Sequence, residues 1–159
     1  MVRKFGMEGA EEFKKSKLTI ELVPQGQWGL NLRSELPRRE WDRLRRAVYQ
    51  AANWKCEICG GKGPKWPVEC HERWEYDEST KVQSLVELIA LCPSCHEVKH
   101  IGRAGVMGRA TQALSHLMEV NDWDLDQATE YVDDCFSVWA RRSKEDWKLD
   151  ISWIKNQRG

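Results

Sequence analysis

Two Cys-x-x-Cys pairs, Cys56/Cys59 and Cys92/Cys95, are separated by 32 residues in a chain of 159. Each pair makes a tight knuckle that presents two thiolates to one side, and two knuckles complete a tetrahedral Zn(II) site. The gap exceeds the usual zinc-ribbon spacing, so structure must be inserted between the knuckles. Gly60 and Gly61 fit a knuckle turn, and Pro93-Ser94 fits the opening turn of a helix. His96 and His100 follow the second knuckle at i and i+4, so both imidazoles leave one helical face. A single helical histidine is usually structural; a pair adjoining a zinc knuckle reads as a ligand pair.

These residues need elements to position them. PVECHERW (67–74) alternates apolar and polar residues and is strand-like, VELIAL (86–91) is a second strand entering Cys92, and CPSCHEVKH should be helical and closed by Ile101-Gly102. Upstream, Leu18, Ile20 and Leu22 alternate with polar neighbours, which predicts a strand ended by Pro24 and Gly26. From Pro37, a residue suited to a first helical turn, Trp41, Leu44 and Val48 share one helical face, with Arg39, Arg43 and Arg46 opposite. Downstream, Val106, Ala110, Ala113, Leu114 and Leu117 trace another helix. Asp124 is a plausible N-cap, with Gln127 in capping-box position, for a third helix carrying Leu125, Ala128, Val132 and Trp139. Trp147, Leu149, Ile151 and Trp153 then alternate as a terminal strand, expected to pair or pack with Leu18–Val23. The expected class is α+β in one compact domain: a tail (1–16), a strand and basic helix (17–53), the metal module (54–102) and a helical extension ending in a strand (103–159).

Strand–strand–helix with C-x-x-C, a strand histidine and then L-C-P-x-C-H-x-x-K-H resembles the HNH endonucleases, whose treble-clef or ββα-metal module matches residues 54–102. The resemblance implies a metal-dependent nuclease acting on DNA, with relatives among bacteria and their phages. It implies His71 as the general base that activates water, and Cys70, His96 and His100 as ligands of a catalytic Mg(II), Mn(II), Ni(II) or Zn(II) ion. It leaves Cys56, Cys59, Cys92 and Cys95 to a structural Zn(II). Two positions depart from the family. Cys70 stands where His or Asp is common, and no Asn occurs between Glu72 and Cys95; Glu87 occupies that register. A thiolate with two imidazoles is a soft set that suits zinc better than Mg(II). Glu69, Glu72 and Glu87 offer carboxylates as substitute ligands or orienters. The alternative expectation is a non-catalytic zinc module that binds nucleic acid or a protein partner.

Charge adds a surface to these motifs. Net charge is zero, yet residues 33–66 carry nine Lys/Arg against four Asp/Glu, while residues 119–150 carry ten acids against four bases. Arg39, Arg43, Arg46 and Lys99 are therefore the candidate phosphate contacts, and the acidic C-terminal helix a candidate protein-binding face. Trp28, Trp54, Trp66 and Trp74 could stack on bases, although tryptophan in a small domain is more often core. His116 and Cys135 read as structural. No run approaches the roughly 18 apolar residues of a membrane span, and the N-terminus lacks an apolar leader, so a cytoplasmic protein without a membrane partner is expected.

Overall fold

The computed structural model describes residues 16–157; the start of the expected tail lies outside them. An antiparallel hairpin, β1 (Glu69–Asp77) and β2 (Val82–Leu91), forms the centre. It closes through a tight turn in which the Asp77 carboxylate accepts the backbone N–H groups of Ser79 and Thr80. Helices α1 (Leu32–Glu35) and α2 (Arg38–Ala51) precede it. Helices α3 (Pro93–Lys99), α4 (Ile101–Val106), α5 (Ala110–Asn121) and α6 (Leu125–Arg142) follow. The fold is α+β, as the periodicity predicts. Among the described residues, no helix is long and apolar enough to cross a membrane.

The hairpin is a blade with two covered faces. On one, Leu85, Leu88 and Trp74 pack with Leu32, Leu44 and Trp41 of α1 and α2. On the other, Ile89 and Leu91 join Val98, Ile101, Leu117 and Tyr131. Arg73 pairs with Glu87 and Trp74 with Leu85, so Val86 is an extra residue in β2. This bulge lets Leu85 and Leu88, three apart, share a face.

Several expectations need correction. Leu18–Val23 keeps its alternation, with Leu18 and Ile20 buried, but forms no strand. Its backbone is satisfied by other partners: Asn121 holds both the N–H and the carbonyl of Leu18, the Tyr131 hydroxyl accepts from Ile20 N–H, and Glu21 N–H donates to the Lys99 carbonyl. The terminal strand shrinks to β3 (Lys148–Asp150), which runs parallel to the start of β2, and a 3-10 turn (Ser152–Gln157) follows. The two end segments therefore do not pair. Ile101-Gly102 does not close the histidine helix; α3 stops at His100, and α4 begins at once. The capping box on α6 is present, Asp124 and Gln127 each bonding the other's backbone N–H.

Because Asn121 supplies both bonds to Leu18, Asn121→Ala should lower unfolding stability by about 1–3 kcal/mol, the cost of stranding half-buried backbone groups. Urea denaturation checks this, and a loss below the detection limit would contradict it.

Candidate metal centres

The four sulfurs of Cys56, Cys59, Cys92 and Cys95 lie within 4.8 Å of one another. Cys59 and Cys92 are 3.6 Å apart, close to the edge of about 3.8 Å in a tetrahedron with Zn–S of about 2.3 Å. The first knuckle turns at Gly60, at φ +76°. Gly61 N–H donates to the Cys59 sulfur, and a Cβ at Gly61 would sit 3.3 Å from it. Cys92 caps α3 by accepting the Cys95 N–H, with Pro93 in the first turn. Glu57 ties the first knuckle to β2 by exchanging bonds with Ala90.

Four thiols packed this closely cannot all ionise without a cation. Hydrogen bonds from Cys92 and Cys95 hold Cys56 as the thiolate, while the same contacts push Cys95 far up and Cys92 to about 11. A divalent ion removes the conflict by balancing the charge. The four-cysteine group has the donor set and spacing of a closed structural zinc site. His116, which periodicity alone reads as structural, reaches this centre from α5, its Nε2 lying 3.2 Å from the Cys95 sulfur.

A second cluster adjoins the first, since His96 directly follows Cys95. Ligand-capable nitrogens of His71, His96 and His100 also fall within 4.8 Å of one another. Their rings meet edge to face, with centroids 4.9–5.4 Å apart. His71 Nε2 bonds the Glu21 carboxylate at 2.5 Å, and the buried His71 Nδ1 has no partner. His96 Nδ1 lies 3.3 Å from Glu69 Oε1.

The electrostatics keep two imidazoles neutral. Burial lowers His71, partly offset by its bond to Glu21, and burial with the neighbouring histidines lowers His100 to about 3. Burial would raise Glu21, but bonds from His71 and the Lys99 ammonium outweigh it and hold the carboxyl at about 2. Glu69 is lowered chiefly by its bond from His96. The histidine group can therefore hold a metal ion, and His96 and His100 are half-buried.

Other expected site residues lie elsewhere. Cys70 points to the opposite face of β1, where it packs near Tyr49, Val68 and Ala90. Burial, with Glu72 nearby, pushes its thiol up to about 12, so it stays protonated and apart from the histidines. Lys99 is buried, bonded to Thr19 and ion-paired with Glu21 at 3.0 Å, so it cannot reach a phosphate. Arg39, Arg43 and Arg46 are exposed and line a shallow groove on α2, across the hairpin from the histidines. Glu72 accepts the Leu32 N–H, and Glu87 pairs with Arg73. Trp28, Trp54 and Trp66 are exposed, while Trp74 is partly buried against the core. Cys135 packs against the main core. Sequence reasoning missed Glu21 entirely, because its partner is 50 residues away and nothing local marks it.

Comparison with known proteins returns no matching family model, curated protein or solved structure.

Two measurements follow. Freshly folded protein should retain at least one zinc per chain by elemental analysis, and Cys56→Ser or Cys95→Ser should yield unfolded or aggregated product; zinc-free folded protein would contradict the four-cysteine site. Acid stability has a worked sign. His100 titrates near 3 when folded against 6.5 ordinarily, so its contribution is full above pH 6.5 and is lost as pH falls towards 3. Glu21 acts in the same sense between 4.5 and about 2. Urea midpoints should therefore fall as pH drops below 6.5, less steeply in His100→Gln; equal slopes would contradict the assignment.

Proposed function

We propose that this chain is a metal-dependent endonuclease of the HNH type, hydrolysing phosphodiester bonds in DNA from a zinc-stabilised treble-clef, or ββα-metal, module. The observation that carries this reading is the convergence of His71 from β1 with His96 and His100 from α3 and its end, beside the four-cysteine group. A rigid knuckle and a nearby, partly exposed histidine group divide the labour between scaffold and chemistry.

A divalent ion held by the histidines would neutralise charge on the phosphoryl oxygens and acidify water. The chain's own contribution is to keep His71 and His100 neutral, and so able to donate lone pairs at neutral pH. Arg103 is exposed and close enough to influence both Glu69 and His100, placing a cation at the rim where a phosphate would arrive. Trp66 is half exposed beside Glu69, available for stacking on an unpaired base. The arginines of α2 lie across the hairpin, so they would touch backbone well away from the reacting phosphate.

The alternative, a non-catalytic module binding nucleic acid or a protein, draws its support from that same separation of basic groove and histidines. A plasmid-nicking assay across Mg(II), Mn(II), Ni(II) and Zn(II) decides between them. The expected result is divalent-dependent nicking that His71→Ala abolishes, with zinc retained at the cysteines. DNA binding without cleavage under every metal would favour the binding module.

A further inference from the structure

We infer that His71 is itself a metal ligand, through Nδ1, and that His71, His96 and His100 form a three-imidazole site for a zinc-class divalent ion. The family resemblance gives His71 a different task, taking a proton from water, and the two tasks compete for one lone pair.

The geometry decides which nitrogen is free. Nε2 of His71 faces the Glu21 carboxylate, which also holds the buried Lys99 ammonium. Glu21 can only accept, so Nε2 carries the hydrogen and Nδ1 the lone pair. That Nδ1 lies in a side chain only 2% exposed and has no hydrogen-bond partner. An unpaired buried polar atom is costly, and the rings of His96 and His100 pack against the His71 ring, with centroids 5.3 and 5.4 Å away. His96 repeats the pattern: its Nδ1 faces Glu69, which leaves Nε2 as its lone-pair nitrogen. A carboxylate behind a histidine fixes the ring's tautomer and raises its basicity towards a metal. Two of the three histidines have such a partner.

Three imidazole nitrogens are borderline-soft donors, matched to Zn(II), Co(II) or Ni(II) in preference to Mg(II). With Nε2 given to Glu21 and Nδ1 to the ion, His71 keeps no lone pair for a water proton. Glu21 becomes a positioning residue, and Lys99 its anchor. The catalytic consequence rests on the nuclease reading above; the metal site does not.

Titration of the zinc-loaded protein with Co(II), followed by visible absorption and equilibrium dialysis, tests the site without any cleavage assay. Wild-type protein should take up a second ion beyond the four-cysteine zinc. His71→Ala should lose that uptake, and Glu21→Gln, which keeps the ring, should weaken it about 10- to 100-fold. Should His71→Ala fail to fold, the ¹⁵N resonance of His71 Nδ1 in the wild type carries the test, moving on Zn(II) addition while Nε2 stays protonated. No second ion in the wild type, unchanged uptake in His71→Ala, or an unmoved Nδ1 signal would each overturn the inference. Second-ion binding without nicking would overturn only the nuclease reading, and nicking without a second ion only this one.

Discussion

The gathering of four sulfurs within 4.8 Å of one another is the constraint around which the module is arranged. Cys56 and Cys59 come from the loop after α2, and Cys92 and Cys95 from the junction of β2 and α3, so closing the cluster fixes the two ends of the hairpin together. The start of α3 helps, because its free N–H groups and positive dipole end face the thiolates. Once α3 is pinned, the positions of His96 and His100 follow from helical geometry, and β1 brings His71 to them. A cation at the cysteines would therefore do more than stabilise a loop. It would set the distance between the strand and helix histidines.

Glu21 supplies the second constraint. It lies in an extended segment outside the metal module, yet accepts from both His71 and Lys99. The segment is held by Asn121 and Tyr131 from α5 and α6, so the helical extension acts on the histidines through it. His116 makes a second link, from α5 to Cys95. The extension is thereby coupled to both centres, and its removal would expose Leu18 and Ile20 together with Ile89, Leu91 and Val98.

Features legible in the sequence are those set by short spacing. The knuckles, the i and i+4 histidines, the two hairpin strands and the Asp124 cap all depend on neighbours within a few residues. Cys70 shows where a resemblance and a local rule disagree: adjacent residues on a strand point to opposite faces, so Cys70 and His71 serve different sides of β1. Leu18–Val23 shows the limit of alternation, which reports alternate burial and not a strand partner. Here side chains of α5 and α6 take the place of a neighbouring strand. Lys99 looked like a phosphate contact because lysines are usually exposed; its burial comes from Glu21 and Thr19, 78 and 80 residues earlier. The pairing of histidine with carboxylate was likewise hidden, Glu21 by distance and Glu69 by its several possible roles.

The central claim is two chemically different centres on one hairpin–helix unit, one of sulfur and one of imidazole. Zinc-edge X-ray absorption on protein loaded first with one and then with two equivalents addresses it most directly. The first equivalent should show sulfur alone, at about 2.3 Å, and the second should add nitrogen at about 2.0–2.1 Å with imidazole scattering. Nitrogen in the first shell at one equivalent, or a second equivalent without imidazole, would contradict the account.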